Sequence, residues 1–168
     1  MAVTSASNIR EVELSDLDRC YEIETISYQG DEAASKEKIK KRIKNYSTGF
    51  IVIEVAGEIA GFINSGATHQ VELSDEEFKE LIGHDTKGEY IVIMSVVVHP
   101  DYQGSGYAHL LLKAFIAKMT KLKKSSIHLI CQTSLVDMYA KHGFVYQGES
   151  ESEHGGLQWH EMVLHLPK

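Results

Sequence analysis

The stretch YIVIMSVVVHPDYQGSGYA, Tyr90–Ala108, decides how the rest of the chain is read. Its first nine residues, Tyr90–Val98, are the most apolar run in the sequence, rich in β-branched side chains and closed by His99 and Pro100. Such a run predicts a central strand covered on both faces. A turn bearing Gly104 and Gly106 follows, and then a helix to about Lys123. Ala108, Leu111, Leu112, Phe115, Ile116, Met119 and Leu122 fall there at the i, i+3, i+4, i+7 spacing of one buried face. A helix opening directly after a buried strand points its first N–H groups and the positive end of its dipole outward. That is a ready site for phosphate oxygens. Gly104 and Gly106 let the main chain approach an anion closely and tolerate φ > 0. Glycines needed only for the turn would look the same; the position between strand and helix favours phosphate. The P-loop pattern is absent, because no lysine follows either glycine appropriately. The dinucleotide pattern fails at His109, where a small residue belongs.

Working outward, the chain reads as one α/β domain over 1–168. Asn8–Leu14 predicts a first strand. Ser15, followed by Asp18, predicts the cap of a helix through about Ser27. Ser35–Asn45 predicts a basic helix. Gly49–Ala56 and Glu58–Ser65 are β-rich runs meeting at Gly57 as a hairpin. Ser74 with Glu77 marks a short acidic helix near Asp75–Ile82. Ser126–Cys131 predicts a strand, Leu135–His142 a short helix ended by Gly143, and Phe144–Gln147 and Gln158–Leu166 late strands. The order is β-α-α-β-β-β-α-β-α-β-β.

Composition narrows the function classes. Apolar residues make up 43% and charged residues 24% of the 168, which is globular. No apolar run approaches the roughly 20 residues of a membrane span, and Met1–Asp16 lacks the pattern of a secretory signal. Cys20 and Cys131 lie far apart in sequence and read as reduced thiols of a cytoplasmic protein. A formal charge of −7 argues against nucleic acid as a partner. The charge is uneven: residues 1–35 carry eight acids and two arginines, whereas Lys36–Lys44 has six basic residues against Glu37. Solvated helix faces explain this simply; a cationic substrate passing acids while an anionic cofactor lies near lysines is the sharper alternative. Nine histidines invite a metal, but none sits at HxxxH spacing, and no metal site is expected. Without a GxSxG elbow, Ser-His-Asp hydrolysis is not expected either.

The segment Gln103-Gly104-Ser105-Gly106-Tyr107-Ala108 resembles the Q/R-x-x-G-x-G/A signature of the GNAT (Gcn5-related N-acetyltransferase) superfamily. LICQTSLVDMYAKHGF, Leu129–Phe144, resembles that family's strand–helix segment. Tyr21-Glu22-Ile23-Glu24 and the same later stretch look most like the serotonin (arylalkylamine) N-acetyltransferase branch. The resemblance implies an α/β (α+β) fold with a mixed, mostly antiparallel sheet flanked by helices. It implies transfer of an acetyl group from acetyl-CoA, as co-substrate and without a metal, to a primary amine by direct attack in a ternary complex. The acceptor it suggests is a small arylalkylamine or polyamine. A protein N-terminus, a lysine or an antibiotic amine are alternatives, as is a non-catalytic acyl-CoA sensor. A homodimer is compatible with this reading; a membrane partner is not expected.

On the same resemblance, main-chain groups of Val96, Val97 and Val98 pair with the pantetheine arm. The amides of Gln103, Gly104, Ser105, Gly106, Tyr107, Ala108 and His109 cradle the pyrophosphate, and Gln132 lies close to the cofactor. Tyr139 takes the place of the family tyrosine beside the thioester sulfur and protonates the leaving thiolate. The branch's two central-strand histidines align with Val92 and Met94, which accept no proton. Glu24 is the first substitute as base, ahead of His69, His84 or a water chain. Trp159, Tyr21 and Tyr28 either line a pocket or pack in the core.

Overall fold

The computed structural model describes residues 7–27, 34–71, 84–150 and 159–167. Along them run β1 (Ser7–Glu11), α1 (Leu17–Ser27), α2 (Lys36–Asn45), β2 (Ile51–Val55), β3 (Glu58–Thr68), β4 (Tyr90–Val98), α3 (Tyr107–Lys121), β5 (Ser126–Cys131), α4 (Val136–Lys141), β6 (Val145–Glu149) and β7 (His160–His165). This is the expected order. The strands form one sheet, β1-β2-β3-β4-β5-β7-β6. Every neighbouring pair is antiparallel except β4 and β5, which are parallel because α3 carries the chain across. The expected acidic helix at Asp75–Ile82, with Tyr28 and His154, lies outside the described residues.

Local chemistry explains most boundaries. Ala56 and Gly57, with φ of 52° and 82°, make the tight turn between β2 and β3, the left-handed pair a two-residue hairpin favours. The expected helix Ser35–Asn45 starts one residue later, at Lys36, because Ser35 is its cap, its Oγ accepting the Lys38 N–H at 3.2 Å. Ser15 does not cap α1, contrary to expectation. The first strand stops at Glu11, and a 3-10 turn at Leu14–Asp16 leads into α1 from Leu17. The Asp16 carboxylate, one residue further on, accepts the Glu13 N–H at 2.7 Å and the Arg10 guanidinium at 2.8 Å, closing the capping box of the 3-10 turn that precedes the helix. Leu122 was expected on the buried face of α3; it is 43% exposed, because that helix ends at Lys121.

Two apolar layers sandwich the sheet. Leu111, Leu112, Phe115 and Met119 of α3 pack on Ile53, Ile63, Ile91 and Ile127. On the other face Cys20 and Ile23 of α1 and Ile39 and Ile43 of α2 pack on Phe50, Val52, Phe62 and Val97. β4 contributes to both layers, which is why its sequence is apolar without alternation. Each such side chain contributes about 1.5–3 kcal/mol on burial. Both cysteines are free and buried, and burial pushes their thiols up to about 12 for Cys20 and about 11 for Cys131.

Candidate active site

Two irregularities open the sheet along β4, ahead of the glycine turn. β4 and β5 pair only at Tyr90–Val92 with Ser126–His128. On its other edge β4 carries a bulge: Ser95 opposes Asn64 and Ile93 opposes Ser65, leaving Met94 as the extra residue. A bulge bends its strand, and here the bend falls just where β4 leaves β5. From Ile93 onward the β5-facing edge of β4 therefore borders a cleft rather than a strand. Val92, opposite Gly66, is buried, and Met94 sits at the bulge, so neither aligned position brings a proton acceptor to the cleft.

At the end of β4 a hollow of about 310 Å³ is lined by Val98, Tyr102, Gln103, Gly104, Gly106, Tyr107, Ala108 and His109. Gly104 and Gly106 adopt φ of 85° and 82°, so both glycines are required by the backbone. A Cβ added to either would meet no atom within 4 Å, and both faces open into space. Gly106 is the N-cap of α3, and the first intrahelical bond runs from the Leu110 N–H to the Gly106 carbonyl at 3.1 Å. The Tyr107, Ala108 and His109 N–H groups precede that bond, at the positive end of the helix. The Gln103 amide donates to the Val98 carbonyl at 3.0 Å and ties the turn to the strand. Tyr102 fixes the turn from outside through the Glu58 carboxylate at 3.0 Å. Ser105 is exposed at the tip, Val96 packs on the α3 layer, and Val97 lies in the opposite one.

The remaining candidates are placed less uniformly. Gln132 follows β5 directly, half-buried at the cleft. Tyr139 is 5% exposed, its ring edge-on to Phe144 at 5.6 Å. Glu24 is 1% exposed rather than a surface acid, and its carboxylate accepts the Ala34 N–H at 2.8 Å, ahead of the Ser35 cap. His69 is exposed beside Asp85 at 2.9 Å. His84 accepts the Ala67 N–H at 2.9 Å and packs on Tyr46; burial is the main cause lowering its pKa. Several acids of the first helix region are paired internally, Asp16 with Arg10 and Asp18 with Lys36. Trp159 is buried and Tyr21 is 37% exposed. Among the described residues no three His, Cys, Asp or Glu side chains gather as a metal site would require.

Sequence reasoning missed two imidazole arrangements. His109 Nδ1 and His142 Nε2 lie 2.7 Å apart across the ends of α3 and α4. His160 Nε2 lies 2.7 Å from Thr133 Oγ1, and its Nδ1 lies 2.9 Å from the Tyr146 hydroxyl. Neither follows a spacing rule, since each joins residues from separate elements. The pairing of two late strands was the only signal that could have brought Tyr146 near His160.

A family profile described as an acetyltransferase (GNAT) domain matches residues 21–166, and the chain belongs to that family. None of the curated proteins compared by sequence matches it. Among solved structures, the loading GNATL domain of CurA from Lyngbya majuscula is similar, at 14% identity and TM-score 0.83, covering 95% of this chain and 98% of that one. The GphF GNAT-like decarboxylase in complex with isobutyryl-CoA is 16% identical with TM-score 0.80, covering 95% and 100%. A phosphinothricin acetyltransferase from Sinorhizobium meliloti in complex with AcCoA is 16% identical with TM-score 0.71, covering 95% and 88%. At these identities the likeness is one of fold.

Proposed function

We propose that this protein transfers an acetyl group from acetyl-CoA to a primary amine, by direct attack within a ternary complex. The observation that carries the reading is the glycine turn and helix start at the end of a bulged strand whose β5-facing edge opens on a cleft. The turn suits a diphosphate, and the exposed edge of β4 suits the amides of a pantetheine arm added like a strand. In this reading a backbone N–H near Val97 receives the carbonyl oxygen as charge develops on it. Tyr139, on the helix after β5, is the proposed donor to the leaving thiolate. Glu24 already holds the Ala34 N–H, which supports anchoring of the α1–α2 connection more than proton abstraction. The acceptor we favour is a small arylalkylamine or polyamine, on the strength of the Tyr21–Glu24 and Leu129–Phe144 resemblances. The site is proposed to work in the cytoplasm. Release of CoA from acetyl-CoA, followed over a panel of amines, tests the reading; no amine-dependent release would defeat it.

Val92 and Met94 favour a second reading, in which the protein binds acyl-CoA without acetylating an amine. A sensor would bind acetyl-CoA and release no CoA. A protein acting on the acyl group, as the GphF relative is described to do, would change the acyl-CoA with no amine present.

A further inference from the structure

Val92 and Met94 on the central strand offer no base, yet a hydrogen-bonded chain begins in the turn that follows β5. Thr133 is exposed and opens the 3-10 turn two residues after β5, beyond the end of that strand that has left β4. Its hydroxyl meets His160 Nε2 at 2.7 Å. His160 pairs with Cys131 across β5–β7 and is 8% exposed. Its Nδ1 meets the hydroxyl of Tyr146, a residue of the edge strand β6 that is 48% exposed. Tyr146 opposes Met162, so it reaches His160 along a diagonal. A buried imidazole thus links an exposed residue's hydroxyl, just past the end of β5, to a second one on the outer edge of the sheet.

We propose that Thr133, His160 and Tyr146 form the proton path that delivers the acceptor as a free amine. The proposal rests on the amine-acetylation reading above. Thr133 meets the amine, and His160 and Tyr146 act through it. An alkylammonium with a pKa near ~10 is about 99.9% protonated at neutral pH and cannot attack. Its proton passes to Thr133 Oγ1 as the hydroxyl proton of Thr133 passes to His160 Nε2. The imidazolium then yields a proton from Nδ1 through Tyr146 to solvent. The free amine attacks the thioester carbon: the C–N bond forms, the C–S bond breaks, and the electron pair goes to sulfur. The second nitrogen proton ends on the CoA sulfur, so amide, thiol and one solvent proton balance the reaction. The titratable groups around His160 are Tyr146 and Glu149 on β6, Cys131 on β5 and Glu161 beside it. α4, packed on β6 and β7, adds Asp137, Tyr139 and Lys141.

The experiment measures amine acetylation and acetyl-CoA affinity for wild type, His160→Gln, Thr133→Val and Tyr146→Phe between pH 6.5 and 10. A positioned base contributes about 10²–10⁴-fold. The kcat/KM for the amine should fall about 100-fold or more in His160→Gln and about tenfold in the hydroxyl variants. Acetyl-CoA affinity should stay within about twofold. The deficit should shrink as pH approaches the amine's own pKa, because solvent then supplies the free amine; a merely structural loss would persist. Thr133→Val, at an exposed position, decides the matter should His160→Gln fail to fold. Wild-type kcat/KM in Thr133→Val and His160→Gln, a pH-independent deficit, or an acetyl group found on Thr133 would each overturn the path. A wild type that acetylates no amine defeats the functional reading itself, and the path with it.

Discussion

His109 Nδ1 lies 2.7 Å from His142 Nε2, with the two rings stacked at 4.9 Å and 24° between planes. The pair joins the first turn of α3, at the hollow after β4, to the residue that closes α4. One proton fits between the two nitrogens, and a second must sit against it. Burial, the His109 charge and then Lys113 lower the His142 pKa. An anionic diphosphate bound in the hollow would favour the protonated form of His142, so binding should draw a proton from solvent. Calorimetric titration of CoA at about pH 6.5, in buffers of differing ionisation enthalpy, should show proton uptake that His142→Gln abolishes. Heats independent of buffer in wild type would refute the coupling.

His128 carries a second pH signature. Burial, with a smaller contribution from His165, pushes its pKa down to about 4, against about 6.5 for an unperturbed imidazole. Above the ordinary value it is neutral in both folded and unfolded chains, and its contribution is complete. As pH falls below about 6.5 the unfolded chain takes up a proton that the folded one refuses until about 4. Stability therefore declines across that window and levels off beneath it. In urea titrations at descending pH, His128→Gln should lose less of its midpoint between pH 7 and 4.5. A variant declining in parallel with wild type would contradict this.

Gly106→Asp separates backbone from ligand. The new side chain meets open space but must hold φ near 82°, which costs about 1–2 kcal/mol for a residue with a Cβ. Its carboxylate also faces the incoming pyrophosphate. Acetyl-CoA at 100 times its Kd should stabilise wild type by about 2.7 kcal/mol and the variant by almost nothing, as read from melting temperatures. An equal shift in both proteins would remove the hollow from the cofactor site.

Tyr139→Phe deletes one oxygen and keeps the ring against Phe144. Fold and cofactor affinity should be nearly unchanged, while the chemical step slows by about 100-fold or more. The deficit should narrow with acyl donors whose thiols are more acidic, since these depart without help. A deficit equal across donors would mark the tyrosine as structural.

Glu24→Gln weakens the bond that holds Ala34 ahead of α2. A hydrogen bond to a charged group contributes about 1.5–3 kcal/mol, so the urea midpoint should fall while the acidic limb of the pH–rate profile keeps its position. Displacement of that limb would return the role of base to Glu24.

The fold was legible because the apolar periods are strong. Tyr90–Val98 and Ser126–Cys131 match the observed strands residue for residue, and the glycine turn lies where its positive φ angles are needed. Boundaries failed where a side chain tied down an extra turn, as the Asp16 carboxylate on the Glu13 N–H closes a 3-10 turn ahead of α1. The strand, glycine turn and helix start of the candidate site could be read because they are local, consecutive in sequence. The His160 chain could not, because it depends on the register of β6 against β7, including a bulge between Tyr146 and Gly148. In the acid-rich first segment the charges were countable from sequence, but the pairing of Asp16 with Arg10 and Asp18 with Lys36 was not.

The three residue pairs joining β4 to β5 are a seam between two leaves of unequal size. One leaf holds β1 to β4, the other β5 to β7, and α3 is the strap that crosses between them. A molecule laid along the unpaired part of the seam acts as a stitch, adding bonds where the protein has fewest of its own. Adhesion between the leaves is then shared between protein and ligand. Substitutions that thin the seam, at Ile91 or Ile127, should make the intact molecule more dependent on its ligand, while each leaf keeps its own antiparallel pairing.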